Sequence, residues 1–327
     1  MSYLTVCFLM SFLVVSLLTP YWIRKATKAG LTGKDIHKFN QREVAEMGGI
    51  ILILGFLSSI LTYIAIRIFV YHTNTQITFL LAILTAILIA GMIGIIDDIL
   101  GWKIGLRQWQ KPVLTLLVAA PIMAVNAGTR VMSFPFIGSI DLGIIYPLII
   151  IPGFILVGTN GFNMLAGYNG LEAGQGIIIL STLSYFSYLN GSPWLAAVGL
   201  CMVAALFGFL IYNYYPARVF PGDTLTYTVG ALAAAIVIFA NLEKIFLILF
   251  VPYILEFFLK LRGKFKKESF AQIREDGTLI PRYHKIYGLE NLMVLVMNKF
   301  KIKTTERKVV YALFGLQLIF VGFAFII

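Results

Sequence analysis

A chain of 327 residues that is 59% hydrophobic and only 13% charged, with mean hydropathy +0.89, cannot hide so much apolar surface in one water-soluble core. It reads as a polytopic membrane protein. The net charge of +11 would suit nucleic acid, but the basic residues alternate loop by loop with near-neutral connectors, which is no nucleic-acid footprint. In chain order, windows of about 20 apolar residues predict ten spans, at 3–23, 47–70, 77–96, 112–126, 144–158, 174–190, 194–213, 223–241, 244–261 and 309–327. Pro252 falls within the ninth and predicts a kink there. The expected fold is all-α, a bundle of about ten transmembrane helices forming one domain over 1–327, with chemistry in its loops. A small outer hairpin is expected at 129–143, from Val131, Ser133 and Pro135 in alternation and a Gly138 turn.

All of the 26 Lys and Arg except Arg67, Arg130 and Lys244 fall in the loops 24–46, 97–111, 214–222 and 260–308. That asymmetry makes those loops cytoplasmic and puts both termini outside. It also attracts anionic lipid and anionic substrate. Cys7 and Cys201 lie in predicted spans, so no disulfide framework is expected. The Tyr3–Trp22 stretch is too long for a signal h-region and reads as a retained first helix.

Four polar clusters interrupt the apolar pattern, all on the basic side. The first runs from Lys34-Asp35-Ile36-His37-Lys38 through Glu43 to Glu46-Met47-Gly48-Gly49. The second ends the third span at Asp97-Asp98 and continues to Lys103, Arg107 and Lys111. The third is Asn160-Gly-Phe-Asn163-Met-Leu-Ala-Gly167-Tyr-Asn169-Gly170-Leu-Glu172-Ala-Gly174-Gln175, too polar for a lipid-facing helix. The fourth is Tyr215-Pro-Ala-Arg218-Val-Phe220-Pro-Gly222-Asp223-Thr224. Each has a plain alternative: a polar inter-helix loop for the third, solvated helix-end charges for Asp97 and Asp98, an N-cap for Asp223. Asn163 and Asp223 are hard oxygen donors of the kind Mg²⁺ accepts. His37, His72 and His284 are scattered, so no zinc spacing exists.

In that order and spacing the last three clusters resemble the polyprenyl-phosphate N-acetylhexosamine-1-phosphate transferases. The Leu-Ala-Gly-x-Asn-Gly-Leu-Glu-Ala-Gly form, with Ala166 where bacterial relatives carry Asp, resembles the eukaryotic and archaeal branch. The resemblance implies Mg²⁺, with Mn²⁺ as substitute, held by Asn163 and Asp223. It implies Gly167 and Asn169 against uracil, Phe220 stacked on that base, and Glu46 lining the same pocket. Asp97 and Asp98 become the essential acidic pair and Lys111 the cation that meets phosphate. Two departures stand out. The interval from Asp98 to Lys111 is long, which brings Arg107 into contention for that role, and the family's compact Arg-His-Arg box is missing from the last basic loop. Arg282 with His284 is the first substitute, Lys264, Lys266 and Lys267 the second. The same loop holds a candidate turn at Glu275-Asp276-Gly277 and an amphipathic stripe of Leu289, Leu292, Met293 and Val296.

The implied reaction moves GlcNAc-1-phosphate from UDP-GlcNAc to a polyprenyl (dolichyl-type) phosphate at the cytoplasmic face of the membrane, the plasma membrane in a prokaryote. A bacterial-type enzyme using another UDP-N-acetylhexosamine and undecaprenyl phosphate is the alternative; the peptidoglycan branch is disfavoured by the missing His-rich last-loop motif. A secondary transporter would place polar groups at mid-membrane on broken helices, where this chain is almost uncharged. A binding or scaffold protein would not need the acidic pair together with Asn163 and Asp223. Homodimerisation is left open, and nucleic acid is not an expected partner.

Overall fold

The structure is a computed structural model that describes residues 3–134 and 138–326. All ten expected spans are helical. α1 (Tyr3–Lys28), α2 (Gly49–Phe69) and α3 (Ile77–Ile104) come first. The fourth segment is discontinuous: α4 (Gln110–Thr115), a 3₁₀ turn at Leu116–Ala119, then α5 (Ala120–Ala124). A π-turn at Tyr146–Ile150 leads into α6 (Ile151–Met164). α7 (Leu171–Leu189), α8 (Pro193–Asn213) and α9 (Gly222–Ala240) follow. The ninth segment is broken at Phe250 into α10 (Glu243–Leu249) and α11 (Val251–Arg262), because Pro252 cannot continue the α-helical hydrogen bonding of the preceding turn. α12 (Leu289–Lys299) lies in the last loop and α13 (Glu306–Ala324) ends the fold.

Seven of these segments are long and apolar enough to cross a membrane, and the chain is an integral membrane protein. The fourth and ninth are too short or broken to qualify as single helices, and α7 carries Glu172 and Gln175 in its first turns. Cys7 and Cys201 are buried and free.

Three two-stranded antiparallel ribbons decorate the ends. β1 (Thr32–Lys34) pairs with β2 (Glu43–Ala45), Gly33 opposite Val44. β3 (Val131–Phe134) pairs with β4 (Gly138–Asp141), the expected outer hairpin, whose tip with Pro135 lies outside the described residues. β5 (Gln272–Ile273) and β6 (Leu279–Ile280) flank the Glu275-Asp276-Gly277 turn, where Gly277 takes φ +75 and Asp276 accepts the Thr278 N–H at 3.0 Å.

α9 is the hub. It packs against α3 and α6 and also touches α2, α7 and α8. Lipid tails are as apolar as leucine, so helix contact in a membrane rests on close packing of small residues. Gly158 of α6 and Gly230 of α9 meet so tightly that a Cβ on either would strike the other's backbone. Gly94 lets α3 lie directly on the backbone of Thr224. That contact sets Asp98, one turn further along α3, beside the first residues of α9.

Two expectations about local structure change. α6 runs through Met164, so Asn160 and Asn163 stand on a helix and not in a loop. Asn160 is accommodated because its amide donates to Thr115 Oγ1 at 2.8 Å and to Leu156 O at 3.1 Å. On α12 the deeply buried residues are Leu289, Glu290, Asn291 and Val294, while Val296 of the expected stripe is exposed. This helix therefore buries a partly polar face against the loop and bundle.

Candidate active site

The four polar clusters meet at one end of the bundle. A parallel bridge between Ala45 and Val219 joins two of them, extended by Phe220 N–H to Ala45 O (2.7 Å) and Gly48 N–H to Phe220 O (2.9 Å). At the core is the start of α9. Asp98 Oδ1 accepts the backbone N–H of Asp223 at 2.8 Å, and its Oδ2 accepts the N–H and hydroxyl of Thr224 at 3.1 and 2.7 Å. The N-cap position is Pro221, which offers no side-chain acceptor, so Asp98 caps α9 from another helix. Gly222, at φ +70, is required here: a Cβ would collide with the Asp98 carboxylate. The N-cap reading of Asp223 is thereby corrected. Its carboxylate caps nothing and faces the cleft.

Asp97, on the same turn of α3 as Asp98, does something different. Its Oδ1 accepts the Leu106 N–H at 2.8 Å, after the helix breaks at Gly101, and its Oδ2 pairs with Lys111 Nζ. Lys111 also reaches Asp223 Oδ2 at 2.8 Å. One ammonium thus bridges the two carboxylates: the long interval folds back at Gly101 and α4 brings Lys111 to the acidic cluster, while Arg107 stays exposed. Asn163 sits across from them, its Oδ1 accepting the Thr226 hydroxyl at 3.1 Å.

Three connected clefts open from this cluster. The first, about 400 Å³, is lined by Asn163, Gly167, Asn169, Phe220 and Asp223. The second, about 460 Å³, holds Glu46, Asp97, Asp98 and Lys111 and shares Phe220 and Asp223 with the first. The third, about 530 Å³, runs from Lys111 and Asn163 past Pro112, Tyr227, Phe257 and Phe265. Glu46 therefore belongs to the neighbouring cleft rather than to that of Gly167 and Asn169. The β1–β2 ribbon turns it back over Gly33, whose missing side chain makes room for its carboxyl. Burial pushes that carboxyl above the usual range, and the nearby Asp98 adds to the effect.

The loop 165–170 is held from behind. Gly167, at φ +110, donates its N–H to Glu172 Oε1 at 2.7 Å. The N–H of Asn169 goes to Glu306 Oε1 (2.8 Å) and its amide to Asp35 Oδ2 (3.1 Å). Lys38 pairs with both of those acids. His37 stacks on Tyr168 with ring centroids 4.1 Å apart. Burial pushes its imidazole down to about 4, against the pull of Asp35 and with that of Lys38. Asp35, His37 and Glu306 have metal-ligand chemistry and spacing, but the Lys38 ammonium already pairs with both acids. Asn163 and Asp223, the latter also paired with Lys111, form an all-oxygen set facing an open cleft, which suits a hard divalent ion.

Arg282 and His284 line none of the three clefts. Arg282 pairs, at an exposed position, with Glu268, which does line the third cleft. Lys267, from the second set expected for that loop, lines the third cleft. Lys260, Glu306 and Phe270 were not singled out in the sequence, and Asp35 was noted only as part of the first polar cluster. The usable signal for Lys260 was Glu256, a carboxylate inside an apolar segment that needs a nearby cation.

With this geometry in place, comparison with known proteins is informative. Residues 80–241 match the model for glycosyl transferase family 4. A protein of Saccharolobus solfataricus, carrying the provisional name UDP-N-acetylglucosamine–dolichyl-phosphate N-acetylglucosaminephosphotransferase, is 37% identical over 322 residues, covering 98% of this chain and 95% of that one. The Dictyostelium discoideum protein named for the same activity is 30% identical over 270 residues, 71% of this chain and 65% of its own. A phospho-N-acetylmuramoyl-pentapeptide-transferase of Streptococcus mutans is 33% identical over 268 residues, 76% of each chain.

Proposed function

The chain belongs to glycosyl transferase family 4, and on that premise we propose that it transfers GlcNAc-1-phosphate from UDP-GlcNAc to a polyprenyl phosphate of the dolichyl type, releasing UMP. The supporting observation is the convergence of Asn163, Asp223, Asp97 and Lys111 where three clefts meet. The near-full-length archaeal relative supports the sugar and the lipid.

A lipid phosphate brings its own oxyanion, so strong general-base help is not needed. The barrier is the approach of that anion to a pyrophosphate already negative. An oxygen of the lipid phosphate attacks the β-phosphorus of UDP-GlcNAc, and the bond to the α-phosphate oxygen breaks so that UMP leaves with the electron pair. Lys111 contributes positive charge at this point, in a pocket where limited water strengthens it. Asp97, beside Lys111, orients the lipid phosphate or takes its remaining proton. Asn163 and Asp223 would hold Mg²⁺, which when bound neutralises pyrophosphate charge. Phe220 stacks on the uracil, Gly167 and Asn169 border the base, and Glu46 approaches the sugar from the second cleft. The basic loops support a cytoplasmic position for this end.

The test is purified protein with Mg²⁺, a short polyprenyl phosphate and a panel of UDP-sugars that includes UDP-MurNAc-pentapeptide, following UMP release. UMP release with UDP-GlcNAc and none without lipid phosphate is expected. Release with the muramoyl substrate alone would overturn the sugar assignment.

A further inference from the structure

Lys260 is the one cation, among the described residues, that borders both the first cleft and the third. Lys34 lines only the first, and Lys267 only the third. Lys111 lines the second and third, and its charge is already shared between Asp97 and Asp223. Two phosphates that must approach each other here therefore face a wall from which one further positive charge is needed.

The local structure holds Lys260 ready for that task. It stands one turn beyond Glu256 on α11, and the fully buried Glu256 carboxylate holds its ammonium at 3.4 Å through Oε1. Glu256 is itself fixed, since its Oε2 accepts the Leu289 N–H at 2.6 Å where α12 begins. Lys260 Nζ also donates to the carbonyl of Met164, the residue after Asn163. An ammonium has three donors. One goes to Met164 O, the charge is paired with Glu256, and with 23% of the side chain exposed the ammonium still has donor capacity facing the cleft.

We propose that Lys260 is a phosphate-binding residue of the reaction, donating to a phosphate oxygen where the nucleotide cleft and the apolar-walled cleft join. This rests on the reading under Proposed function. The phosphate is that of the nucleotide sugar or that of the lipid; both present the same oxygen anion, and separate titrations tell them apart.

The experiment compares Lys260→Met, Lys260→Arg and the exposed control Lys299→Met. UDP-GlcNAc and polyprenyl phosphate are varied separately, and binding of UDP and of uridine is measured directly. For Lys260→Met we expect at least a tenfold rise in KM for one substrate or a tenfold fall in kcat. Uridine affinity and the Mg²⁺ concentration for half-maximal rate should stay within threefold, and Lys260→Arg should recover most of the loss. A KM effect on UDP-GlcNAc, with UDP affinity falling towards that of uridine, assigns the nucleotide phosphate; an effect confined to the lipid KM assigns the lipid phosphate. Kinetic constants all within threefold of wild type would overturn the proposal. So would a parallel loss of uridine affinity or a large shift in Mg²⁺ requirement, either of which makes Lys260 a support for the end of α6. Should wild type release no UMP at all, the reaction reading fails, and the ratio of UDP to uridine affinity decides on Lys260 alone.

Discussion

The carboxylate of Asp98 accepts the backbone N–H of Asp223 at 2.8 Å, across 125 residues of sequence. Two neighbouring acids on α3 thus have separate duties: Asp98 builds the N-terminus of α9, and Asp97 shares Lys111 with Asp223. Asp98→Ala leaves two backbone N–H groups and the Thr224 hydroxyl without their acceptor, at about 1–3 kcal/mol for each group left unpaired. Thermal unfolding in detergent should show a lowered midpoint together with lost turnover. Asp97→Asn should cut turnover by about 10²-fold or more while the midpoint moves much less, since the amide oxygen still accepts the Leu106 N–H. Equal destabilisation by both changes would contradict this division.

Metal dependence is the second expectation. Asn163→Ala and Asp223→Ala should each lose Mg²⁺-dependent UMP release by at least ~10²-fold, as for removal of a metal ligand, while remaining monodisperse in detergent. Replacing Mg²⁺ with Mn²⁺ should support wild-type turnover. Activity insensitive to chelation would remove the metal from the mechanism.

How much of this was legible in the sequence follows from where the partners lie. Asn163 and Asp223 stood out because polar side chains bordering apolar spans are rare, and the spans themselves followed from hydropathy. The capping of α9 by Asp98 was not legible, because the cap comes from a helix far away in sequence and Pro221 hides the usual local signal. The ion pair of Arg282 with Glu268 was not legible either, because composition reports how basic a loop is, and not which acid each cation meets. Lys260 escaped notice because it ends an apolar helix, where a lysine normally marks only the membrane boundary.

Sidedness can be checked by single-cysteine labelling, since the two native cysteines are buried and should be silent. Ser269 is buried and a poor probe. Glu275, exposed at the β5–β6 turn, and Ser139 on the exposed outer ribbon are better positions. A membrane-impermeant thiol reagent applied from outside should label Ser139→Cys and leave Glu275→Cys unmodified until the membrane is opened. Matching accessibility would overturn the orientation.

Glu290 gives a pH signature. Burial, reinforced by the neighbouring Glu256 and opposed by Lys260, pushes its carboxyl from the ordinary 4.5 to about 8. Between those values the folded protein binds a proton that the unfolded chain releases. The stability this group contributes is therefore fully present below about 4.5 and is lost as pH rises through about 8. The unfolding midpoint should fall as pH is raised from 6 to 9. Glu290→Gln, which keeps the shape and removes the proton, should flatten that fall. An unchanged slope in the variant would assign the pH dependence to another group.

The last basic loop supplies the final prediction. Arg282 is paired with Glu268 at exposed positions, 39% and 59% open to solvent, and it borders none of the three clefts. Exposed pairs of this kind contribute about 0–1 kcal/mol to stability. Arg282→Ala should leave kcat and the KM for UDP-GlcNAc within about threefold of wild type. Lys267 lines the third cleft and lies over the Tyr283 ring at 5.1 Å from its centroid. If the third cleft admits the lipid phosphate, the Lys267 charge there attracts that headgroup. Lys267→Ala should raise the KM for polyprenyl phosphate several-fold, less than loss of a direct charged hydrogen bond of ~1.5–3 kcal/mol would, and leave that for UDP-GlcNAc nearly unchanged. The two KM values, measured separately on the same preparations, distinguish a loop that guides the lipid from one that grips the nucleotide. A tenfold effect of Arg282→Ala on the UDP-GlcNAc KM would mean that this loop closes over the first cleft during turnover, and would return Arg282 to the site.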